Sequence, residues 1–176
     1  MISGVFLDRD GTICVDVSYL RTVDQVELLP RAAEAIKLLN ERKIPVVVVT
    51  NQSGVARGYF TEDTIKEANK RLEELLVVES AHIDAAYYCL HSPDEGCSCR
   101  KPRTGMAEEG AKKFGIDFKN SFVVGDKATD IELGKNIGAK TVLVLTGSGK
   151  EEKGKSNSDY IADDLYDAVG IILKNG

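Results

Sequence analysis

Short apolar runs alternate along the chain with longer amphipathic stretches, and each apolar run stops at polar or glycine-bearing residues. Continuous apolar runs of this length are typical of strands that are buried on both faces of a sheet. The clearest run is Pro45, four valines and Thr50, which is rich in β-branched residues and free of charge. The pattern predicts strands over residues 5–7, 45–50, 83–89, 121–124 and 141–145, with a short sixth strand near 160–161.

The stretches between these runs place apolar residues at helical spacing and carry signals for helix ends. Pro30 suits the first turn of a helix, Thr61 suits an N-cap, and Gly115 suits the position after a helix. Helices are predicted over residues 30–42, 61–80, 105–114, 128–137 and 163–173. We expect residues 14–29 to form a loop over the end of the first strand, and residues 150–159 to form a mobile hydrophilic loop.

Strands that alternate with helices predict right-handed βαβ units, and therefore an α/β fold with a doubly wound parallel sheet. The length of 176 residues suits a single domain over residues 1–176. In such a fold, ligands bind beyond the carboxyl ends of the strands. Asp8, Thr50, Cys89 and Asp126 all lie where predicted strands end. We therefore expect these distant segments to meet at one edge of the sheet.

Composition and charge narrow the possible partners. The chain is 43% hydrophobic and 29% charged, which suits a folded globular protein. Its formal charge of -5 gives no basic surface for nucleic acid or for an anionic membrane. The sequence shows neither an apolar segment long enough to span a bilayer nor the pattern of a signal peptide. We expect a cytoplasmic monomer that acts on a small molecule.

Asp8 and Asp10 form the first candidate site. They follow an apolar strand, and because side chains alternate along a strand, both carboxylates would lean to one side. Gly11 would allow a sharp turn close to a ligand. Two adjacent carboxylates favour a hard cation such as Mg2+, which takes oxygen ligands and keeps coordination positions for a phosphate. The alternative is that Asp8 and Asp10 are ordinary loop residues.

Two further segments carry groups suited to a phosphate. Thr50 and Asn51 offer a hydroxyl and an amide at a strand end, where Gly54 would let backbone N–H groups approach. The guanidinium of Arg100 can donate two parallel hydrogen bonds to phosphate oxygens, and the ammonium group of Lys101 is a compact positive charge. The alternatives are an ordinary turn and a solvated basic pair.

Asp126 stands at another strand end, and Asp130 follows one helical turn later, at a neighbouring surface position if the helix has begun. A carboxylate aimed at the Asp8 region indicates a metal ligand. The alternative is that Asp126 caps the following helix.

Cys89, His91, Cys97 and Cys99 are crowded into one predicted loop. In a reducing compartment such a cluster favours a metal site over disulfides. Three thiolates and an imidazole suit a tetrahedral structural Zn2+, and the alternative is four reduced, unligated side chains. Cys14 stands apart and is interpreted as a small packed residue.

The segment Asp8-Arg9-Asp10-Gly11-Thr12 resembles the signature of the haloacid dehalogenase superfamily, and Thr50, Lys101 and Gly125-Asp126 with Asp130 follow in that family's order. The resemblance implies Mg2+-dependent phosphoryl transfer. Asp8 would be the nucleophile and Asp10 the acid and base. Mg2+ would be held by Asp8, the backbone carbonyl of Asp10 and Asp126. Lys101 would offset the charge of the transferring phosphoryl group.

Residues 6–12, 50–58, 97–106 and 124–127 are also similar to the D-glycero-D-manno-heptose-1,7-bisphosphate phosphatase and histidinol-phosphatase family. This resemblance implies a zinc loop at the Cys/His cluster and a Rossmann-like haloacid dehalogenase fold without a large cap domain. It also implies that Arg100 contacts the substrate, while Ser53 and Lys127 line the site.

The function implied is removal of the 7-phosphate of a heptose 1,7-bisphosphate, within the carbohydrate metabolism that supplies cell-surface heptose. Arg57, Arg100 and Lys127 offer more positive charge than one transferred phosphate requires, which favours a bisphosphate. Histidinol phosphate and other small phosphate monoesters stay open as alternatives. A DNA 3'-phosphatase is disfavoured by the acidic balance, and a zinc module without enzymatic activity is disfavoured by the Asp8 and Asp10 pair.

Overall fold

A sheet of six parallel strands forms the centre of the fold, in a computed structural model that describes residues 2–20 and 22–176. The strands are β1 (Val5–Leu7), β2 (Val46–Asn51), β3 (Ala85–Cys89), β4 (Phe122–Gly125), β5 (Lys140–Val144) and β6 (Tyr160–Ala162). They lie in the order β3-β2-β1-β4-β5-β6, and each neighbouring pair is parallel. The predicted parallel sheet is confirmed.

Helices cover both faces of this sheet. They are α1 (Ala32–Glu41), α2 (Glu62–Val78), α3 (Gly105–Phe114), α4 (Ala128–Ile137), the short α5 (Gly149–Glu152) and α6 (Leu165–Asn175). Helices α1, α2 and α6 share one hydrophobic core, and α3 and α4 share the other. Because consecutive strand side chains point to opposite faces, Val5 and Leu7 enter the first core and Phe6 enters the second. In the described residues, no large cap domain is inserted between these elements.

The direction in which strands are added reverses at β1, and this reversal positions the site. The chain leaves β1 towards β2 and β3, and later adds β4 on the other side of β1. Leu7 pairs with Val124, and the backbone N–H of Asp8 donates to the carbonyl of Val124 at 3.0 Å. Asp8 and Asp126 therefore lie beside each other in the crevice where α/β sheets bind ligands.

Several predicted boundaries shift by one or two residues in the structure, and two of the differences have a structural reason. Helix α1 begins after Arg31, whose left-handed backbone (φ 61°) is incompatible with a right-handed helix, so Pro30 lies before the helix. The loop predicted after β5 is partly helical, because α5 extends to Glu152. The predicted N-cap at Thr61 is confirmed, since its hydroxyl oxygen accepts from the backbone N–H of Thr64 at 3.3 Å.

The loop after the first turn folds back along itself before α1. The backbone N–H of Val15 donates to the carbonyl of Glu27 at 2.9 Å, which joins the two arms of the loop. Tyr19, near its tip, lines a cavity together with Asp10. The loop therefore covers the end of β1, as predicted. Arg21, within the same loop, lies outside the described residues.

Gly134 marks a place where α4 lies close against the sheet. A Cβ atom there would come within 2.3 Å of Thr141 Cγ2. Thr141 is not free to rotate, because its hydroxyl donates to Asp159 Oδ2 at 2.7 Å and accepts from the Asp159 N–H at 2.9 Å. We predict that Gly134→Ala lowers the free energy of unfolding by about 1–2 kcal/mol, because overpacking outweighs the gain in helix propensity. Urea unfolding followed by circular dichroism measures this change.

Gly170 in α6 is the matched control, because no atom would lie within 4 Å of a Cβ atom there. Gly170→Ala should raise the free energy of unfolding by up to about 1 kcal/mol through helix propensity alone. Changes of the same sign at both positions would contradict the close packing of α4.

Candidate active site

A narrow cavity opens where β1, β2 and β4 end. Its lining, here called the catalytic cavity, consists of Asp8, Asp10, Thr50, Asn51, Lys101, Lys127, Thr129 and Asp130. These side chains come from four separate parts of the chain, which the parallel sheet brings to one edge. All three side chains that the resemblance assigns to catalysis therefore line the same space.

The ammonium group of Lys101 joins two carboxylates of this cavity. Its Nζ lies 2.8 Å from Asp8 Oδ1 and 2.6 Å from Asp130 Oδ1, and all three residues are buried. Burial alone would lower the pKa of Lys101, but the charges of Asp130 and Asp8 outweigh it and raise that pKa. Burial, with repulsion from Asp8, raises the pKa of Asp130 to about 6 despite Lys101. Lys101 is thus a fixed positive charge beside Asp8.

Asp126 is fully buried, and among the described residues it has no cationic partner of this kind. Its Oδ2 accepts from the backbone N–H of Ser148 at 2.8 Å, whereas its buried Oδ1 has no hydrogen-bond partner within residues 2–20 and 22–176. Burial and the nearby charge of Asp8 raise the pKa of Asp126 to about 7. Gly11 and Gly147 enclose this carboxylate, because a Cβ atom on either would come within 2.3 Å of Asp126 Oδ2. The carboxylate is held in place with one oxygen left to be satisfied.

The interpretation of Asp126 as a helix cap is wrong. Helix α4 begins after Lys127, and the backbone N–H of Lys127 donates to Asp130 Oδ2 at 3.1 Å. Asp130 therefore both closes the start of α4 and holds Lys101. The neighbouring positions predicted for Asp126 and Asp130 required that the helix had begun at Asp126, but α4 begins at Ala128, and both carboxylates are buried.

The acidic cluster fits the predicted magnesium ion. Carboxylate oxygens of Asp8, Asp126 and Asp130 lie within 4.8 Å of one another. Carboxylates at this spacing repel each other unless a cation joins them. Lys101 contacts Asp8 and Asp130, so the missing positive charge is at Asp126. Oxygen donors of this kind are what Mg2+ prefers, and the free oxygen of Asp126 is available to it.

Asp10 has different surroundings from Asp8. Arg9 holds both of its oxygens, from Nε to Oδ1 at 2.9 Å and from Nη2 to Oδ2 at 3.0 Å, and Gln52 donates to Oδ2 at 2.7 Å. Burial would raise the pKa of Asp10, but Arg9 and the Gln52 hydrogen bond together lower it. Cys14 packs beside this pair with a buried thiol, as predicted from the sequence.

Thr50 and Asn51 act differently from each other. The Thr50 hydroxyl oxygen accepts from Gln52 Nε2 at 2.9 Å, so its own hydrogen stays available to a phosphate oxygen. The Asn51 amide instead donates to the carbonyl of Lys101 at 3.2 Å and accepts from the Lys101 N–H at 3.0 Å. The side chain of Asn51 therefore fixes the backbone that carries Lys101 with one of its two amide hydrogens, and the residue also lines the catalytic cavity.

A second cavity, of about 140 Å³, shares lining residues with the first. Its lining, here called the outer cavity, consists of Asp10, Asp16, Ser18, Tyr19, Asn51, Gln52, Ser53, Gly54, Phe60 and Lys127. Lys127 Nζ lies 3.1 Å from Asp16 Oδ2 across it. The nearby charges of Asp126 and Asp8 outweigh burial and raise the pKa of Lys127. Ser53 and Lys127 thus lie where a substrate could extend from the catalytic cavity.

Arg57 and Arg100 line neither cavity. Arg57 is exposed to solvent on the loop after β2. Arg100 is half-buried, and its buried Nη1 has no hydrogen-bond partner in the part of the chain that the structure describes. A buried donor without an acceptor is costly, and an anion bound beside Arg100 would satisfy it.

The Cys/His cluster converges on one point at the end of β3. The Sγ atom of Cys89 lies 3.6 Å from His91 Nδ1, 3.6 Å from Cys97 Sγ and 3.1 Å from Cys99 Sγ. Ligand atoms of a tetrahedral zinc site with bonds of about 2.3 Å would be about 3.8 Å apart. Burial alone would raise the pKa of Cys97, but the backbone N–H of Arg100 and the neighbouring thiols lower it to about 6. The cluster is compatible with zinc.

Three features of the site were missed in the sequence. Arg9 and Gln52 hold Asp10, although no pattern in the chain indicated these partners. The turn after β5 also belongs to the site, because Ser148 binds Asp126 and the Thr146 hydroxyl donates to the carbonyl of Gly11 at 2.6 Å. The signal for this turn was present, since a polar, glycine-bearing segment follows the predicted fifth strand, as it does after β2.

Comparisons with known proteins agree with this geometry. The HAD-hydrolase-like family matches residues 98–168. A D-glycero-beta-D-manno-heptose-1,7-bisphosphate 7-phosphatase of Pasteurella multocida is 37% identical, over 98% of this chain and 97% of its own. A D-glycero-D-manno-heptose-1,7-bisphosphate 7-phosphatase of Chlorobaculum tepidum is 39% identical, over 96% of this chain and 94% of its own.

The solved structures give the same result. The crystal structure of the D,D-heptose 1,7-bisphosphate phosphatase from B. bronchiseptica, complexed with magnesium and phosphate, superposes with a TM-score of 0.92. It is 30% identical in sequence and is matched over 99% of this chain and 100% of its own. Full-length similarity in both sequence and structure shows that this chain belongs to the heptose-1,7-bisphosphate phosphatase family of haloacid dehalogenase-like hydrolases.

Proposed function

We propose that this chain removes the 7-phosphate of a D-glycero-D-manno-heptose 1,7-bisphosphate in two steps, through an aspartyl-phosphate on Asp8. The observation that carries the proposal is the contrast between two carboxylates in one cavity. Asp8 is bound by Lys101, whereas Asp10 is bound by Arg9 and Gln52. Two carboxyl groups with different partners suit two roles, one as nucleophile and one as acid and base.

In the first step, a carboxylate oxygen of Asp8 attacks phosphorus, and the bond from phosphorus to the sugar oxygen breaks. Asp10, whose pKa the negative charge of the bound phosphate would raise again, gives its proton to that sugar oxygen. In the second step, Asp10 takes a proton from water, whose oxygen attacks phosphorus and releases Asp8 and inorganic phosphate. Lys101 Nζ and the Thr50 hydroxyl offset the charge of the transferred group, which is the main demand of phosphoryl transfer.

We propose Asp8, the backbone carbonyl of Asp10 and Asp126 as the ligands of Mg2+, which when bound would polarise phosphoryl oxygens. The unpartnered Oδ1 of Asp126 supports this assignment. Asp130 is assigned to Lys101 instead, because its Oδ1 lies 2.6 Å from Lys101 Nζ. Its Oδ2 also accepts from the backbone N–H of Lys127 at 3.1 Å, so both oxygens of Asp130 are occupied, whereas Lys101 contacts Asp8 through Oδ1.

We propose Cys89, His91, Cys97 and Cys99 as the ligands of one structural Zn2+. The loop that carries them leads directly into Arg100 and Lys101. Zinc would therefore hold the backbone that presents both cations. The unpaired Nη1 of Arg100 supports its assignment to the phosphate at carbon 1, which would remain on the product. Thr50 would contact the substrate in the catalytic cavity, Ser53 in the outer cavity, and Lys127 in either, because it lines both. Arg57 would contact the substrate only if its loop closes over the site.

We also propose that residues 1–176 act as one phosphatase domain, as a monomer, on a sugar bisphosphate and not on nucleic acid, in the cytoplasm. The formal charge of -5 supports the choice of partner. Free cysteines Cys14, Cys89, Cys97 and Cys99 suit a reducing compartment. Within the described part of the chain, no helix is both long and apolar enough to cross a membrane.

The nucleophile is tested by Asp8→Asn. The amide keeps the shape of the carboxylate but is a poor nucleophile and metal ligand, so we predict that kcat falls by about 10,000-fold or more while the fold stays intact. Phosphate release measures kcat, and circular dichroism checks the fold. The control is Asp63→Asn, which changes a carboxylate on α2 that is 86% exposed, and it should keep full activity. Substantial turnover by pure Asp8→Asn would exclude the covalent mechanism.

The zinc site is tested by elemental analysis of protein prepared without chelators. We predict about one zinc per chain and its loss in Cys97→Ser, because a hydroxyl is a much weaker ligand than a thiolate. Cys14→Ser is the matched control, since Cys14 is a free cysteine that lies outside the cluster. Wild-type protein without zinc would show that the cluster is not a zinc site.

The substrate is tested by Arg100→Ala. We predict that kcat/KM falls about 100-fold for the heptose 1,7-bisphosphate but less than about threefold for a simple monophosphate, because only the bisphosphate reaches Arg100. Arg71→Ala removes an equivalent charge from the surface of α2 and should change neither value. Equal losses on both substrates, or faster turnover of histidinol phosphate than of every sugar bisphosphate, would refute the heptose assignment.

A further inference from the structure

Arg9 lies behind Asp10 and away from the space that a substrate would fill. Its side chain is 5% exposed, and it lines neither the catalytic nor the outer cavity. Its planar guanidinium nevertheless donates to both oxygens of Asp10, from Nε to Oδ1 at 2.9 Å and from Nη2 to Oδ2 at 3.0 Å, here called the fork. Such a two-point contact fixes the plane of a carboxylate as well as its position, which a single hydrogen bond does not do.

Helix α2 supplies the other end of this contact. Asn69 Oδ1 accepts from Arg9 Nη1 at 3.0 Å, so the guanidinium is held from both sides. Asn69 is buried on the helix face that otherwise carries Ile65, Ala68, Leu72 and Leu76. A polar amide among apolar neighbours costs free energy unless it is hydrogen-bonded. The contact with Arg9, and not the packing of α2, therefore explains why an asparagine stands at position 69.

We propose that Arg9, anchored by Asn69, is a positioning residue that aims the carboxyl group of Asp10 at the oxygen of the leaving sugar. This inference rests on the proposed function, in which Asp10 moves the proton. In the first step the bond between phosphorus and the sugar oxygen breaks, and the proton of Asp10 passes to that oxygen. The anchor holds the donor oxygen in line with the bond that breaks, so loss of the fork lets the carboxyl group rotate away.

A positioning role for Arg9 predicts different effects on alkyl and aryl phosphate substrates, whereas a purely structural role does not. An alkyl oxygen is a poor leaving group and needs the proton of Asp10, whereas p-nitrophenolate leaves without one. The ratio kcat/KM reports the steps up to release of the leaving group. Misplacing Asp10 should therefore slow a sugar phosphate far more than p-nitrophenyl phosphate, whereas general damage to the fold would slow both.

The test measures kcat/KM for the heptose 1,7-bisphosphate and for p-nitrophenyl phosphate in four variants. Arg9→Lys keeps the charge but loses the fork, and we expect about a 100-fold loss on the sugar phosphate with less than about a threefold loss on the aryl phosphate. Asn69→Leu should lose about tenfold on the sugar phosphate alone, and Asn69→Asp, which keeps the acceptor oxygen, should recover most of it. Leu76→Ala, on the same buried face of α2, should leave the ratio of the two substrates unchanged.

Equal losses on both substrates in Arg9→Lys and Asn69→Leu would overturn the inference and leave Arg9 a structural residue. If Arg9→Lys does not fold, the two Asn69 variants give the same comparison. If wild-type protein ignores the heptose bisphosphate, the proposed substrate is wrong, and fructose 1,6-bisphosphate replaces it as the alkyl phosphate in the same ratio. A wild-type protein that hydrolyses no alkyl phosphate would also overturn the inference, because it would have no acid to position.

Discussion

The ammonium group of Lys101 joins Asp8 and Asp130 inside the fold, and the arrangement of the site depends on it. Each of the three comes from a different segment, so the contact joins β1, the loop after β3 and the start of α4. A buried ion of either sign is costly when it stands alone, and removing one partner would leave the others uncompensated. The same contact serves chemistry, because it places a fixed positive charge beside the carboxylate that would attack phosphorus.

Asp126 is the member of this acidic cluster that has no positively charged contact among the described residues. Three carboxylates share the crevice, but one ammonium group contacts two of them. The third, enclosed by Gly11 and Gly147, has a free oxygen and a pKa raised to about 7 by burial and by Asp8. The described part of the fold thus provides negative charge that is unbalanced at one defined oxygen. A divalent cation that also binds phosphate would balance this charge, which links metal binding to substrate binding.

The sequence predicted the sheet and the meeting of its loops because both follow from local patterns. Apolar runs marked the strands, and the rule for strand ends brought Asp8, Thr50 and Asp126 together. Side-chain direction was less predictable. Asn51 was expected to donate to phosphate, yet one of its amide hydrogens binds the backbone of Lys101. Asp126 stood where a helix cap was possible, yet Lys127 is the cap of α4, and Asp130 in the first turn accepts from its N–H. Such choices depend on which backbone groups a neighbouring loop leaves unpaired, and that information is not contained in any single stretch of sequence.

The loop that carries Lys101 gives a reason for the Cys/His cluster to stand so close to the site. Lys101 belongs to no helix or strand, so the sheet alone does not fix its position. Asn51 holds its backbone from one side through two hydrogen bonds. The Cys/His cluster lies immediately before it. The proposed zinc would fix this other side, because structural zinc binds small domains with about 10–16 kcal/mol, far more than a few hydrogen bonds contribute. A loop fixed at both points can hold an ammonium group between two buried carboxylates, whereas a free loop would lose that geometry to conformational entropy.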